Sequence, residues 1–100
     1  MSRASFPRHE HAVLLLEKIE QRLRTRPLAL EITERGLDHL RCCYRFGFRR
    51  SSEQEWIELP IHFQVAERLE EDQDEAELHR ILDSFLDRSF VAQAPEDRPA

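Results

Sequence analysis

Glycine is scarce in this 100-residue chain: Gly36 and Gly47 are the only two, eleven positions apart. Phosphate-cradling loops and dinucleotide fingerprints need glycines clustered within a few residues, so both are excluded. The two cysteines are the neighbours Cys42 and Cys43. They make no CxxC pattern, and a bridge between adjacent residues would be strained, so reduced thiols and a cytoplasmic protein are expected. No HExxH or GxSxG motif is present. No stretch approaches the roughly 20 apolar residues needed to span a bilayer, and the run Ala12–Leu16 stops at Glu17 and Lys18, which argues against a signal peptide. Lysine occurs once, against fourteen arginines, a bias compatible with a GC-rich bacterial coding sequence.

The net charge of −5 conceals an asymmetry, since residues 1–50 sum to +5 and residues 51–100 to −10. Such a division marks either a partner surface or two halves that neutralise each other on folding, and the second is the simpler expectation. With 40% apolar residues the chain can fill one modest core,. A single domain over 1–93 is expected, with loose tails at 1–6 and 94–100.

The stretch from Leu37 to Leu59 organises the rest. Leu40, Cys42, Tyr44, Phe46 and Phe48 alternate with His39, Arg41, Cys43, Arg45 and Arg49. That period of two describes a strand with one apolar and one basic face. The polar residues 49–54 allow a reversal before Ile57 and Leu59 resume the apolar side. Gly47 within the strand predicts a bulge or a close backbone approach.

Upstream, Ala12, Leu15, Leu16, Ile19 and Leu23 repeat with helical spacing, predicting an amphipathic helix over 8–24 that Pro27 closes. Leu28, Leu30 and Ile32 then alternate with polar or small residues, predicting a first strand that turns at Glu34-Arg35-Gly36. In a meander, Arg41 and Arg45 would lie between strands carrying Glu31 and Glu58, and cross-strand pairing would use part of the basic face. Downstream, Pro60 predicts the start of a helix running to Glu70. Asp72-x-x-Glu75 and Asp74-x-x-Glu77 fit capping boxes for a last helix with Leu78, Ile81, Leu82, Phe85, Leu86 and Phe90 as its stripe.

The expected fold is therefore α+β: a three-stranded antiparallel meander with one N-terminal and two C-terminal helices on one face, in the order α-β-β-β-α-α. This order resembles the double-stranded-RNA-binding domain and, more loosely, the small acidic chaperones of type III secretion. The first resemblance implies nucleic-acid binding. That family places basic residues at the start of the helix after the sheet, where residues 60–72 here hold only Arg68 among several acids.

Candidate chemistry is sparse. Glu75, His79 and Asp83 form an i, i+4, i+8 stripe able to hold a divalent ion, but a solvated helix face explains them equally. Cys43 beside Arg41 and Arg45 is a candidate for a lowered thiol pKa. No catalytic, cofactor-binding or metal residues are assigned, and no enzyme is expected. The expected function is protein binding, as an inhibitor, adaptor or chaperone-like regulator of a partner that is basic or normally binds nucleic acid. Its contact residues are Trp56, Glu67, Glu70, Glu71, Asp72, Asp74, Glu75 and Glu77, and a homodimer is a further possibility. The alternative is nucleic-acid binding through Arg41, Arg45 and Arg49.

Overall fold

The computed structural model describes residues 9–26 and 28–91. The tails expected at 1–6 and 94–100, and Pro27, lie outside them. The elements are α1 (His9–Leu23), β1 (Glu31–Asp38), β2 (Cys43–Arg49), β3 (Ile57–His62), α2 (Phe63–Asp72), α3 (Ala76–Leu86) and a π-helical turn, Asp87–Val91. The strands form one antiparallel sheet in the order β1-β2-β3, so the fold is α+β as the periodicity predicts.

Three rings on β2 create the core. Tyr44, Phe46 and Phe48 are at most 1% exposed. In register with them stand Leu37 and Ile32 of β1 and Ile61, Leu59 and Ile57 of β3. The helices close this face: α1 contributes Leu15 and Ile19, and α3 contributes Leu78, Leu82 and Leu86, all buried. Tyr44 meets Phe63 at 4.9 Å between ring centroids, and Phe48 meets Phe85 at 5.0 Å, both tilted. Each such burial contributes about 1.5–3 kcal/mol, before the entropy of ordering is counted.

The first hairpin differs from the expected one. Its turn lies at His39–Cys42, not at Glu34-Arg35-Gly36, and β1 continues through the glycine to Asp38. Gly36 does adopt a positive φ of 101°, but it serves a bulge between Glu34 and Gly36 where Arg35 is the extra residue,. The reversal is made by Asp38, whose carboxylate accepts the Arg41 N–H at 3.2 Å, and by Cys42 at φ 57°,. Leu40 consequently leaves the core row and is 97% exposed at the hairpin tip.

Two further boundaries shift for local reasons. Pro60 sits inside β3, not at a helix start, because Leu59 and Ile61 still alternate into the core and an edge strand tolerates proline,. The helix begins at Phe63, capped by His62, whose Nδ1 accepts the Gln64 N–H at 3.1 Å. Neither expected capping box closes ahead of α3: its N-cap is Glu75, which makes no side-chain cap hydrogen bond, while Asp74 accepts the Ala76 N–H at 3.0 Å and Glu77 turns to Arg68. Gly47 is a site of close approach: a Cβ there would stand 3.1 Å from Arg35 Cδ and 3.3 Å from Trp56 Cβ.

Phe48→Ala should lower the unfolding free energy by about 3–5 kcal/mol. Leu40→Ser should change it by less than about 0.5 kcal/mol. Urea titration measures both, and a large loss in the Leu40 variant would return that residue to the core.

Candidate functional site

On α1, Lys18 and Arg22 stand one helical turn apart, and Arg26 follows just past its end,. On α3 and its flanks, Glu75, His79, Asp83 and Asp87 share the same four-residue spacing. The fold lays the two rows together. Lys18 donates to Glu75 at 2.8 Å, Arg22 grips both oxygens of Asp83 at 2.6 and 3.2 Å, and Arg26 reaches Asp83 at 3.3 Å and Asp87 at 2.8 Å. The stripe that could have held a divalent ion is thus a seam to α1. Among the described residues no three His, Cys, Asp or Glu side chains gather as a metal site. This seam brings the basic and acidic halves of the sequence together within one molecule.

Beside the seam, α1 and α2 enclose a groove of about 550 Å³. Leu14 and Leu69 line it together with Glu10, Glu70, Glu75 and Lys18. Glu70 also accepts a hydrogen bond from Nε2 of His11 at 2.8 Å. That imidazole is 2% exposed, and its Nδ1 has no hydrogen-bond partner among the described residues. Asp72 and Asp74 continue the acidic surface along the exposed α2–α3 turn, where Gln73 takes a left-handed conformation. Of the expected contact residues, Glu70 and Glu75 therefore meet in one groove, with Glu71, Asp72 and Asp74 adjoining in the chain. Glu77 faces Arg68 and Arg80, at 3.6 Å from the latter, and Glu67 is half-buried on α2. Glu10, His11, Leu14 and Lys18 were not among the candidates. Their only sequence signal is helical spacing on α1, which does not say what faces them.

Trp56 belongs to the other layer. It precedes β3 on the uncovered face of the sheet, half-buried, with the Arg49 guanidinium 4.0 Å above its ring,. The cross-strand pairing expected on that face for Arg41 and Arg45 is found for Arg45 and Arg49, because the turn at His39–Cys42 takes Arg41 out of the strand. Arg45 grips Glu58 at 2.6 and 3.2 Å, and Arg49 meets Glu31 at 2.8 Å. Arg41 sits apart in the hairpin turn, 3.8 Å from Asp38 and largely exposed. Arg45 and Arg49 are bound to carboxylates, and Arg35 shares Glu58 at 3.6 Å, so much of the positive charge of the face is already paired within the fold.

The thiol expectation is reversed. Burial pushes the Cys43 pKa up, Asp38 and Cys42 reinforce it, and Arg41 opposes it only weakly from its exposed position. Cys43 Sγ donates to the Arg41 carbonyl at 3.2 Å, so the protonated thiol is the favoured form,.

Comparison with protein-family models, curated proteins and solved structures yields no match.

Three carboxylates are held below their ordinary values: Asp83 by hydrogen bonds from Arg22, Glu75 by Lys18, and Glu58 by Arg45. A carboxylate whose pKa is lower in the folded than in the unfolded chain stabilises the fold above the unfolded value. That stability is lost as pH falls through the folded value. The urea midpoint should therefore drop as pH is lowered from about 5 towards 3. Asp83→Asn should cost on the order of 1 kcal/mol at neutral pH and flatten this dependence. An unchanged slope in that variant would remove the seam as its source.

Proposed function

We propose that the protein is a non-catalytic protein-binding module, acting as an inhibitor, adaptor or chaperone-like regulator. Its contact surface is the groove between α1 and α2 with the adjoining α2–α3 turn. One observation carries this reading: Glu10, Glu70 and Glu75 line one groove together with Leu14 and Leu69. Such a site suits an arginine or lysine whose stem lies along the leucines while its head group meets the carboxylates.

The partner is accordingly a basic protein, of the kind that otherwise binds nucleic acid. Nucleic acid itself is repelled by the acidic surface. No helix of the described residues is long and apolar enough to cross a membrane. The two free cysteines favour a reducing compartment, the cytoplasm,. Trp56 lies in the opposite layer, so a compact partner segment seated in the groove does not reach it.

The test is affinity capture of the tagged protein from lysate of its own cells, with and without nuclease, followed by titration of the recovered partner. A partner resistant to nuclease is expected. Its affinity should weaken with salt and fall at least about tenfold in the triple variant Glu70→Lys, Glu71→Lys, Asp74→Lys. Recovery that depends on nucleic acid, or binding indifferent to the triple reversal, would refute the reading.

A further inference from the structure

The sheet has two edges, and they are not alike. β3 carries Pro60 within the strand, exposed and in register with Arg45. A proline in an edge strand withholds a donor that an added strand would need. In β1 the bulge at Glu34/Gly36 disturbs the second half of the strand only,.

Ahead of that bulge the chain has spare strand character. The ladder with β2 ends at the pair Glu31 and Arg49, so Leu28, Ala29 and Leu30 lie beyond it. Yet the alternation continues: Leu28, Leu30 and Ile32 pack half-buried against the core rim, while Ala29 and Glu31 are exposed,. These three apolar side chains border a groove of about 490 Å³, with Leu23 and Arg24 among its other lining residues.

We propose that this edge is a homodimer seam, in which a second copy of the chain adds its own segment 28–32 antiparallel, with the two-fold axis at Leu30. Two three-stranded sheets then join into one of six strands. The segment is self-complementary in this register. Leu30 meets its own counterpart, Leu28 meets the second copy's Ile32, and Ala29 meets its Glu31, so no like charges oppose each other. Centring on Glu31 would set that carboxylate against itself, and centring on Ile32 would set Leu30 against Glu34. The ends match as well. In this register Glu34, exposed and without an ion pair among the described residues, comes opposite Arg26 of the second copy, two positions from that copy's exposed Arg24, so the acidic end of each copy meets the basic end of the other. The seam shares no residue with the acidic groove, and the inference stands independently of the proposed function.

Light scattering during size-exclusion chromatography should give a mass of twice the 12.0 kDa chain, and Leu30→Lys should reduce it to one chain with an unchanged circular dichroism spectrum. Because that variant disturbs a half-buried residue, a second measurement is needed. In a Cys42→Ser/Cys43→Ser background, Leu30→Cys should form an intermolecular disulfide under mild oxidation, at least about tenfold faster than Ala29→Cys, since residues on the two-fold axis lie within bridging distance. A single-chain mass at every concentration, or equal cross-linking rates, would overturn the proposal. The edge would then be left to an extended segment of another protein.

Discussion

Burial of the row Tyr44, Phe46 and Phe48 is the constraint on which the structure depends. With all three rings inside, the opposite face of β2 must carry Cys43, Arg45, Gly47 and Arg49. A slip of one residue would exchange the two sets, an exchange far more costly than any single contact. The same register carries Glu31 and Glu58 to the arginines. The ion-paired outer face is therefore a consequence of the core.

The second determinant is electrostatic and acts on the helix layer. Ion pairs as exposed as those between α1 and α3 contribute roughly 0–1 kcal/mol each, so any one of them adds less stability than one buried ring. The seam's greater effect is on arrangement. Rows of opposite sign, repeated every four residues, favour one alignment of α1 along α3 and disfavour others through like-charge contact. What remains after this neutralisation is the excess of carboxylates at the α1–α2 groove and the α2–α3 turn.

Two surfaces of different chemistry result. The groove combines carboxylates with leucines, so in the proposed function it would select by charge and with a matching salt dependence,. The rim of the sheet offers an alternating apolar segment, which in the proposed dimer would select by backbone pairing and side-chain fit,. One is a property of the helix layer and the other of the sheet, and they occupy separate parts of the molecule.

Periodicity alone determined that the described residues run as one helix, three strands and two helices in that order, and that Tyr44, Phe46 and Phe48 face inward. Spacings of two and of three to four are local consequences of backbone geometry, and they survive translation into structure. Turn positions were less legible. Gly36 and Pro60 each carry a conformational preference that two contexts can satisfy, a turn or a bulge in one case and a helix start or a strand edge in the other, and long-range pairing made the choice. Leu40 followed the wrong alternation for the same reason. The acidic run was visible as composition, but not which of its members meet α1. Only the tertiary structure could oppose Glu75 and Asp83 to Lys18 and Arg22, join Glu10 and Leu14 to Glu70 and Leu69, and send Trp56 to the far layer. Those contacts join residues some 50 to 60 positions apart, which no local spacing encodes.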